Sequence, residues 1–353
     1  MKKYALILAG GFGTRLWPIS TKQNPKQLTS LLSDKPMIVE TINRLQATIP
    51  LDNIFVITNI NQSEQIKSHL ADILPQDNIL IEPEAKGTAS CIAFSTMYIQ
   101  AKYGDGIICI FASDHYIEDI VEWNFTLCEA INYVSNNDVI MAIGISPKYP
   151  ETGYGYIKIG KALNNKIYNV DSFIEKPILK KAKKYSKDSH YLWNSGNLIV
   201  KTSVLLELYK NFTPTIYNNI LTISKSDWKY NITQELYHNC PNTSIDVAIL
   251  EKAQNITVIK SNNNWSDIGT MHSLLKTFKK DNNSNSCKNT SIFINSKNTF
   301  SYSNNNLVIS VGIRNTVIIE CNGIVFVCKK NKLSKIPEIK KIIEQNNDLK
   351  SLL

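Results

Sequence analysis

The sequence predicts an α/β fold in which a mixed, mostly parallel sheet is flanked by helices and followed by a small β-rich unit. Apolar strand-like runs alternate with helix-like stretches over residues 4–144. Glycines directly follow the first run, as at the end of a strand that enters a tight turn. Short β-rich runs with turn residues between them fill the last part of the chain. We expect a main domain over residues 1–280 and a small unit over residues 281–353.

The main domain should begin with five strands and three helices. The expected strands are Tyr4–Leu8, Asn53–Thr58, Asn78–Ile81, Gly106–Phe111 and Val139–Gly144. The expected helices are Gln62–Leu74, Thr88–Lys102 and Glu122–Val134. Because strands and helices alternate, the sheet should be covered on both faces. Such sheets bind ligands beyond the carboxyl ends of their strands, so we expect the site in the loops after Leu8, Ile81 and Phe111.

The small unit should follow a polar linker over residues 281–288, where asparagine and serine accumulate. Its spacing is typical of a few coils of a β-helix. A closing helix is expected near Pro337–Gln345. The expected strands are Ser291–Asn295, Leu307–Val311, Thr316–Glu320 and Ile324–Cys328.

Composition excludes several classes of protein. No apolar run reaches the roughly 20 residues that span a bilayer. The apolar residues at the N terminus are better explained as a buried strand than as a signal peptide. We therefore expect a cytoplasmic protein without membrane contact. The seven cysteines form no C-x-x-C pair, which argues against a disulfide framework and a zinc site. The lysine run 180–184 indicates a solvated helix face rather than nucleic-acid binding. The net charge of +9 suits polyanionic substrates.

The strongest motif is the glycine-rich stretch Gly10-Gly11-Phe12-Gly13-Thr14, followed by Arg15 and, further on, Lys26. Glycines after a strand let backbone N–H groups approach a phosphate, and the two cations would neutralise its charge. A dinucleotide fingerprint is excluded because Leu16 occupies its third glycine position. An oxidoreductase also needs an acidic residue after the second strand, where Asn59 stands. A ligand-free tight turn is the remaining alternative.

The stretch from Gly10 to Pro18, with Pro25-Lys26-Gln27, closely resembles the signature of mannose-1-phosphate guanylyltransferases, a group of sugar-nucleotide pyrophosphorylases. The resemblance covers residues 4 to about 275, and the tail is similar to the β-rich end of that family. It implies a Rossmann-like, GT-A-like nucleotidyltransferase domain. Further matches follow in order: Ala112-Ser113-Asp114-His115, Thr152-Gly153-Tyr154-Gly155, Phe173-Ile174-Glu175-Lys176-Pro177, Trp193-Asn194-Ser195-Gly196, Ser244-Ile245-Asp246 and Trp265-Ser266-Asp267-Ile268-Gly269.

The resemblance implies that the chain makes GDP-mannose and diphosphate from GTP and mannose 1-phosphate. Arg15, Lys26 and Asp114 would be catalytic. The nucleotide would be bound by Gly10, Gly11, Gly13, Thr14, Glu82 and Thr88. The sugar phosphate would be bound by Gly155, Glu175, Lys176, Asn194 and Asp246.

Asp114 and Asp267 would hold one Mg²⁺, since that ion takes one or two carboxylates together with substrate oxygens. Asp267 could instead cap a helix that begins near Gly269. His115 is better explained as a packing or supporting residue, because the attacking phosphate is already ionised and needs no general base. Trp17 is likewise expected to pack.

Other residues also have simpler explanations. Glu175 and Lys176 could form a solvated surface pair, and Asn194 could be a turn residue. Asp246 could be a sugar or structural contact. Glu82 could accept the N1–H and N2–H of guanine or could only end a strand.

One loop departs from the family pattern, which reads Gly-Arg-Asn-Thr-Ala-Pro after its Glu-Pro. Here Lys86, Gly87 and Ser90 replace the Arg, the Asn and the Pro. The loop lies at the base-binding side in the family, so a glucose-1-phosphate thymidylyl- or uridylyltransferase is the alternative activity.

A non-catalytic homologue would lack one of the four residues Arg15, Lys26, Asp114 and Asp267, which are all present. We expect no isomerase activity, and a homodimer is compatible with the sequence.

Overall fold

A computed structural model describes residues 1–11 and 13–353. The strands of the first part are β1 (Lys2–Leu8), β2 (Ile54–Asn59), β3 (Ile79–Glu82), β4 (Gly106–Ala112), β5 (Tyr116–Ile117), β6 (Ile140–Ile145), β7 (Tyr156–Ala162), β8 (Ile167–Ile174), β9 (Tyr191–Lys201) and β10 (Ile256–Ser261). The later strands are β11 (Trp265–Ser266), β12 (Ser286–Lys288), β13 (Ser291–Ile294), β14 (Phe300–Ser303), β15 (Val308–Val311), β16 (Thr316–Cys321) and β17 (Ile324–Lys329).

The α-helices are α1 (Met37–Leu45), α2 (Ser63–Leu70), α3 (Gly87–Tyr103), α4 (Ile120–Asn136), α5 (Leu179–Tyr185), α6 (Thr202–Phe212), α7 (Pro214–Lys225), α8 (Tyr230–His238), α9 (Met271–Thr277) and α10 (Ile336–Gln345). The expected strands and helices of the first 144 residues are confirmed, with ends that differ by a few residues, but helix α1 and strand β5 were not expected. The expected linker over 281–288 is wrong in its last part, because residues Ser286–Lys288 form strand β12.

The chain forms two compact units, and each is assembled from separated segments. The first unit comprises Met1–Gly10, Thr41–Ser113 and Ile117–Trp265. The second comprises Gly11–Glu40, Asp114–Tyr116 and Ser266–Leu353. The second unit therefore gathers most of the glycine-rich stretch and the segment that begins at Asp114 with the C-terminal part of the chain. The division expected at residues 280 and 281 remains a prediction.

The first unit contains a nine-stranded mixed sheet in the order β3-β2-β1-β4-β9-β6-β10-β8-β7. Strands β1 to β4 are parallel to one another, and β6 is parallel to β10. Strand β9 runs antiparallel between β4 and β6. Every residue of β2 and of β6 is buried, so both faces of these strands are covered. The predicted mixed sheet flanked by helices is confirmed.

The core of the first unit lies between this sheet and three packed helices. Phe94 of α3, Tyr209 of α6 and Ile220 of α7 belong to one buried apolar cluster with Phe55 of β2 and Leu198 of β9. Each such large apolar side chain contributes about 1.5–3 kcal/mol on burial. The lysine run on α5 is exposed around the buried Ala182, as expected for a solvated helix face.

The second unit contains the predicted β-helix-like coils. Strands β12, β14 and β16 form one parallel ribbon, and β13 and β15 form another. Strand β17 closes the first ribbon as an antiparallel hairpin with β16. The buried side chains Phe300, Tyr302, Val317 and Ile319 fill the interior together with residues of the N-terminal segment. Among these is Trp17, whose indole N–H donates to the Leu352 carbonyl at 2.9 Å, so it packs as expected.

Asparagines occupy corners of these coils where the backbone is left-handed. Asn289, Asn295, Asn298, Asn315 and Asn322 have φ between 50° and 67°. After glycine, asparagine is among the residues that tolerate this conformation best. Part of the asparagine richness near the C terminus therefore has a structural cause.

Within residues 1–11 and 13–353, helices long and apolar enough to cross a bilayer are absent.

Candidate active site

A narrow cleft of about 190 Å³ in the second unit brings together residues that are far apart in the sequence. Arg15 and Lys26 supply cations to its wall, and Asp114 and Asp267 supply carboxylates. The complete lining is Gly13, Arg15, Leu16, Lys26, Asp114, His115, Asp267, Ile268 and Gly269. The three motifs that contain these residues therefore meet at one place in the second unit, and we call it the phosphate cleft.

Lys26 is the centre of the phosphate cleft. It lies in a single 3₁₀ turn, Lys26–Leu28, and only 3% of it is exposed. Its ammonium lies 2.7 Å from Asp114 Oδ2 and also donates to the backbone carbonyl of Asp267. A buried ammonium must be paired, and here both of its partners come from the other two motifs. Lys26 therefore ties the three segments together.

The carboxyl of Asp114 is held in its ionised form. Burial opposes its ionisation, but the Lys26 ammonium and His115 outweigh burial and keep the pKa of Asp114 below its ordinary value. The cleft consequently keeps a negative charge beside a buried positive one at neutral pH.

Two glycines allow the close approach of these groups. Gly13 has φ +59°, and a Cβ on it would lie 2.4 Å from Lys26 Cβ. A Cβ on Gly269 would lie 2.5 Å from Asp267 Oδ2, while the Gly269 N–H donates to Asp267 Oδ1 at 2.8 Å. At distances below 3.0 Å from a Cβ, the neighbouring atom must shift. Gly13 therefore requires glycine, whereas a side chain at Gly269 would displace the Asp267 carboxylate.

Arg15 and Gly11 show how the start of the second unit is arranged. Arg15 is exposed and belongs to the 3₁₀ turn Thr14–Leu16. The carbonyl of Gly11 accepts the Gln27 side-chain amide at 2.8 Å, which anchors the stretch to the turn that carries Lys26. Phe12, which belongs to the predicted glycine-rich motif, lies outside the described residues.

The alternative explanation of Asp267 as a helix cap is wrong. Helix α9 begins at Met271, and the Thr270 hydroxyl accepts the Ser273 N–H as its cap. Asp267 instead accepts the Gly269 N–H two residues on, in a turn where Ile268 has φ +43°. The Asp267 carboxylate is therefore held at the wall of the cleft.

The donor set of the phosphate cleft fits Mg²⁺ as a substrate-bridging ion. Asp114 and Asp267 are hard oxygen donors, and Mg²⁺ commonly takes one or two carboxylates with phosphate oxygens and water. In the described part of the chain, groups of three or more His, Cys, Asp or Glu side chains that could hold a metal alone are absent.

A second group of predicted residues meets in the first unit, and we call it the diol cluster. It contains Gly155, Glu175, Lys176, Asn194 and Asp246. The Asn194 amide donates to Asp246 Oδ1 at 3.1 Å, and the Asn194 backbone N–H donates to the Gly155 carbonyl at 2.8 Å. A Cβ on Gly155 would lie 2.8 Å from Glu175 Oε2. Two carboxylates and an amide are thus gathered where Glu175 follows β8, Asn194 lies within β9 and Asp246 begins a helical turn.

The charges of the diol cluster are only partly balanced. Lys176 Nζ lies 2.8 Å from Glu175 Oε1, and the side chains of the two residues are 64% and 22% exposed, so they form an ion pair of which only the lysine is well solvated. Burial, and then the neighbouring Glu175 carboxylate, raise the pKa of Asp246 to about 6. Asp246 begins a single π-helical turn, Asp246–Leu250, and such turns are frequent at functional sites.

Asn194 is not a turn residue, because it lies inside strand β9 and is buried. Its side-chain oxygen accepts the Gly196 N–H at 3.0 Å, which leaves the amide N–H₂ to face Asp246. The amide orientation is therefore fixed by the strand itself.

Glu82 lies at the end of β3, deep in the first unit, with 5% of its surface exposed. The Tyr237 hydroxyl donates to its Oε2 at 2.8 Å. Burial raises the pKa of Glu82 to about 7, and the Tyr237 hydrogen bond only partly opposes this effect. A Cβ on Gly10 would lie 3.0 Å from Glu82 Oε1. Glu82 therefore lies directly beside Gly10, at the start of the glycine-rich stretch.

Tyr237 was not found by sequence reasoning, because it lies 155 residues beyond Glu82 in a helix that carries no motif. Gln27, by contrast, stands in the Pro-Lys-Gln motif, but its bond to the Gly11 carbonyl is seen only in the structure.

The loop that departs from the family pattern is built around Gly87. This residue has φ +74°, and a Cβ on it would lie 2.4 Å from the Thr243 carbonyl oxygen. The Thr243 N–H donates to the Lys86 carbonyl at 3.3 Å, and the Ser90 hydroxyl donates to the Pro241 carbonyl at 3.2 Å. The Gly and the Ser that replace the family's Asn and Pro both contact the segment before Asp246.

Thr88 belongs to the same contact between segments. Its hydroxyl accepts the Ile245 N–H at 3.0 Å, one residue before Asp246. The predicted nucleotide residue Thr88 thus helps to position the π-helical turn of the diol cluster.

Comparison with known proteins identifies the family of this chain. The nucleotidyl transferase family model matches residues 4–284, and a model described as a mannose-phosphate isomerase/GMP-like β-helix domain matches residues 289–345. The chain belongs to the nucleotidyl transferase family. The nucleotidyl transferase match covers both the phosphate cleft motifs and the diol cluster, and the β-helix match covers the C-terminal coils. The predicted family and enzyme class are confirmed.

Individual relatives within the family are similar to this chain over most of its length. This nucleotidyl transferase is 32% identical to a mannose-1-phosphate guanylyltransferase of Escherichia coli O157:H7, over 96% of the chain and 72% of the relative. It is also 32% identical to one of Salmonella typhimurium, over 97% and 72%. Its fold is similar to that of a Thermus thermophilus protein described as a mannose-1-phosphate geranyltransferase. That match has a TM-score of 0.86, 25% identity, and coverage of 98% and 100% of the two chains.

Proposed function

We propose that this nucleotidyl transferase is a mannose-1-phosphate guanylyltransferase, which converts GTP and α-D-mannose 1-phosphate to GDP-mannose and diphosphate. The phosphate cleft carries the proposal, because it brings Arg15, Lys26, Asp114 and Asp267 together around a space suited to phosphate groups. The names of the relatives, at 32% identity over nearly the whole chain, support the choice of substrates.

In the proposed reaction a phosphate oxygen of mannose 1-phosphate forms a bond to the α-phosphorus of GTP. The bond from that phosphorus to the bridging oxygen of diphosphate breaks, and diphosphate leaves with the electron pair. Both reactants are anions and the nucleophile is already ionised, so alignment and charge neutralisation are the main tasks. We assign this neutralisation to Arg15 and Lys26.

Lys26 is suited to the leaving group because its ammonium is buried and fixed. A preorganised cation in a water-poor cleft stabilises developing charge without reorganising at the moment of reaction. Asp114 and Asp267 would hold Mg²⁺ beside it, and the ion would supply further neutralisation of the phosphates. The ionised state of Asp114 at neutral pH supports this assignment.

The diol cluster would bind the sugar. Carboxylate and amide side chains accept from and donate to neighbouring hydroxyl groups, and Glu175, Asn194 and Asp246 supply such groups together. Lys176 is exposed and close to Glu175, so it could exchange that pairing for the phosphate of the sugar substrate.

The base would be recognised near the start of α3. Glu82 could accept two N–H groups of guanine only when ionised, and its pKa of about 7 makes this state sensitive to pH near neutrality. The altered loop at Lys86, Gly87 and Ser90 lies next in the chain and is the feature through which base choice could differ from that of the relatives.

The proposal is tested by diphosphate release from purified protein with Mg²⁺ and mannose 1-phosphate, comparing GTP, ATP, UTP and dTTP. GTP-selective release supports it. Release with UTP or dTTP and glucose 1-phosphate, but not with GTP and mannose 1-phosphate, would assign the chain to the alternative uridylyl- or thymidylyltransferases.

A further inference from the structure

A second, larger cleft in the second unit shares only Arg15 with the lining of the phosphate cleft. Its volume is about 690 Å³. Residues of the 3₁₀ turn Thr14–Leu16, of α9 and of the C-terminal segment form its wall. The lining is Thr14, Arg15, Thr270, Met271, His272, Lys330, Asn331, Leu333, Ser334, Ile336, Pro337 and Lys340. We call it the C-terminal cleft.

The charged side chains that line the C-terminal cleft are all positive. Arg15, Lys330 and Lys340 contribute three cations, and none of its described lining residues is an aspartate or a glutamate. Lys330 Nζ donates to the neutral Asn298 side chain at 2.7 Å and not to a carboxylate. Burial and the nearby Lys280 lower the pKa of Lys330, as expected where positive charge is not balanced. An anion is therefore the favoured ligand.

The rest of the wall is apolar. Met271, Leu333 and Ile336 are buried side chains at this wall, and Pro337 adds a further apolar surface. A site of this kind, apolar with a few convergent charged groups, is typical of organic ligands of several hundred Å³. Inorganic phosphate would leave most of the space and the apolar wall unused. The combination suits an organic molecule that carries both a group able to pack on apolar side chains and a phosphate group.

The C-terminal cleft is connected to the phosphate cleft through one residue and one hydrogen bond. Arg15 lines both clefts. Lys340 of α10 donates to the Thr14 carbonyl at 3.4 Å, directly before Arg15. A phosphate group bound by Lys340 would also attract the exposed guanidinium of Arg15. Arg15 would then be drawn from the phosphate cleft.

We propose that the C-terminal cleft binds a nucleoside diphosphate and that this ligand inhibits the enzyme by engaging Arg15. The diphosphate would contact Arg15, Lys330 and Lys340, and the base would lie on the apolar wall. The binding part of this inference does not depend on the identity of the reaction. It can therefore fail or succeed independently of the guanylyltransferase proposal.

The test uses ADP as the probe and the full chain, with binding measured by calorimetry. Ser334→Trp places an indole in the cleft from an exposed position, and Lys340→Met removes one cation. Lys341→Met is the matched control, because Lys341 is the next residue of α10, is exposed and lies outside the lining. Lys26→Met removes a cation from the phosphate cleft, so a loss of ADP affinity in this variant would indicate that ADP binds there. Circular dichroism and the urea midpoint verify the fold of each variant.

We expect wild type, Lys341→Met and Lys26→Met to bind ADP with similar Kd. Lys340→Met should bind about tenfold more weakly, and Ser334→Trp should not bind measurably. ADP should lower diphosphate release by wild type and not by Ser334→Trp. Loss of binding in Lys26→Met with retention in Ser334→Trp would overturn the inference, because ADP would then occupy only the phosphate cleft. Absence of binding to folded wild type, or equal binding of inorganic phosphate, would also overturn it.

Discussion

Replacing Glu82 with glutamine should remove a pH-dependent loss of stability. The carboxyl is 5% exposed, and its pKa is raised from 4.5 to about 7, mainly by burial. For an acid whose pKa is higher in the folded state, the folded state binds more protons between the two values. The stability of wild type should therefore fall as the pH rises from about 4.5 and level off above about 7.

The size of the effect follows from the two pKa values. A tenfold change in acid dissociation corresponds to about 1.36 kcal/mol, so ionised Glu82 should cost about 3 kcal/mol at pH 8. About 2 kcal/mol of this cost should appear between pH 5.5 and pH 8. Glu82→Gln keeps the shape and an oxygen that can accept the Tyr237 hydroxyl, but it cannot ionise.

Urea unfolding at pH 5.5 and pH 8 measures this difference. Relative to wild type, Glu82→Gln should gain about 2 kcal/mol in unfolding free energy on going from pH 5.5 to pH 8. Glu84→Gln is the matched control, because Glu84 is exposed and pairs with Lys86 and His238. Its pH dependence should stay close to that of wild type. Equal pH dependence in wild type and Glu82→Gln would refute the raised pKa and the buried position on which it rests.

Three further substitutions test the two sites and the loop. Lys26→Met should lower kcat by about 10²–10³-fold, as expected for loss of one preorganised charge, while the exposed Lys22→Met should retain activity in the same diphosphate-release assay. Gly155→Ala places a Cβ 2.8 Å from Glu175 Oε2 and should raise the KM for mannose 1-phosphate about tenfold, with a smaller change for GTP, in steady-state kinetics. Gly87→Ala, at φ +74° and 2.4 Å from a backbone carbonyl, should lower the unfolding free energy by about 1–3 kcal/mol in urea. Wild-type behaviour of any of these variants would contradict the contact assigned to it.

The first half of the fold could be predicted because its signals are local. Strand β2 begins with the apolar run Ile54–Ile57 and α3 is a long helix, and both alternate with similar elements. Strands β7 to β9 were not predicted. Strands β7 and β8 form an antiparallel pair, β7 also pairs with the more distant β9, and β8 alternates buried and exposed residues too irregularly to be recognised.

The residues of the candidate sites could likewise be predicted from local motifs, whereas the contacts between them could not. Sequence motifs selected Lys26, Asp114 and Asp267, but no local signal indicates that Lys26 would pair with Asp114 and reach the Asp267 carbonyl. Long-range packing creates those contacts. The partner of Glu82 was unpredictable for the same reason, because Tyr237 comes from a distant helix without a motif. The left-handed asparagine corners depend on the coils that they close and could only be seen in the structure.

Position-specific labelling of GTP tests the central claim most directly. GTP labelled with ³²P at the α-phosphate is incubated with the protein, Mg²⁺ and mannose 1-phosphate, and the products are separated by anion-exchange chromatography. The proposed reaction requires the α label in GDP-mannose, and a parallel γ-labelled sample should release all of its label as diphosphate. Label in GDP or free phosphate without a sugar nucleotide, or a sugar nucleotide formed only from UTP or dTTP, would contradict the assignment.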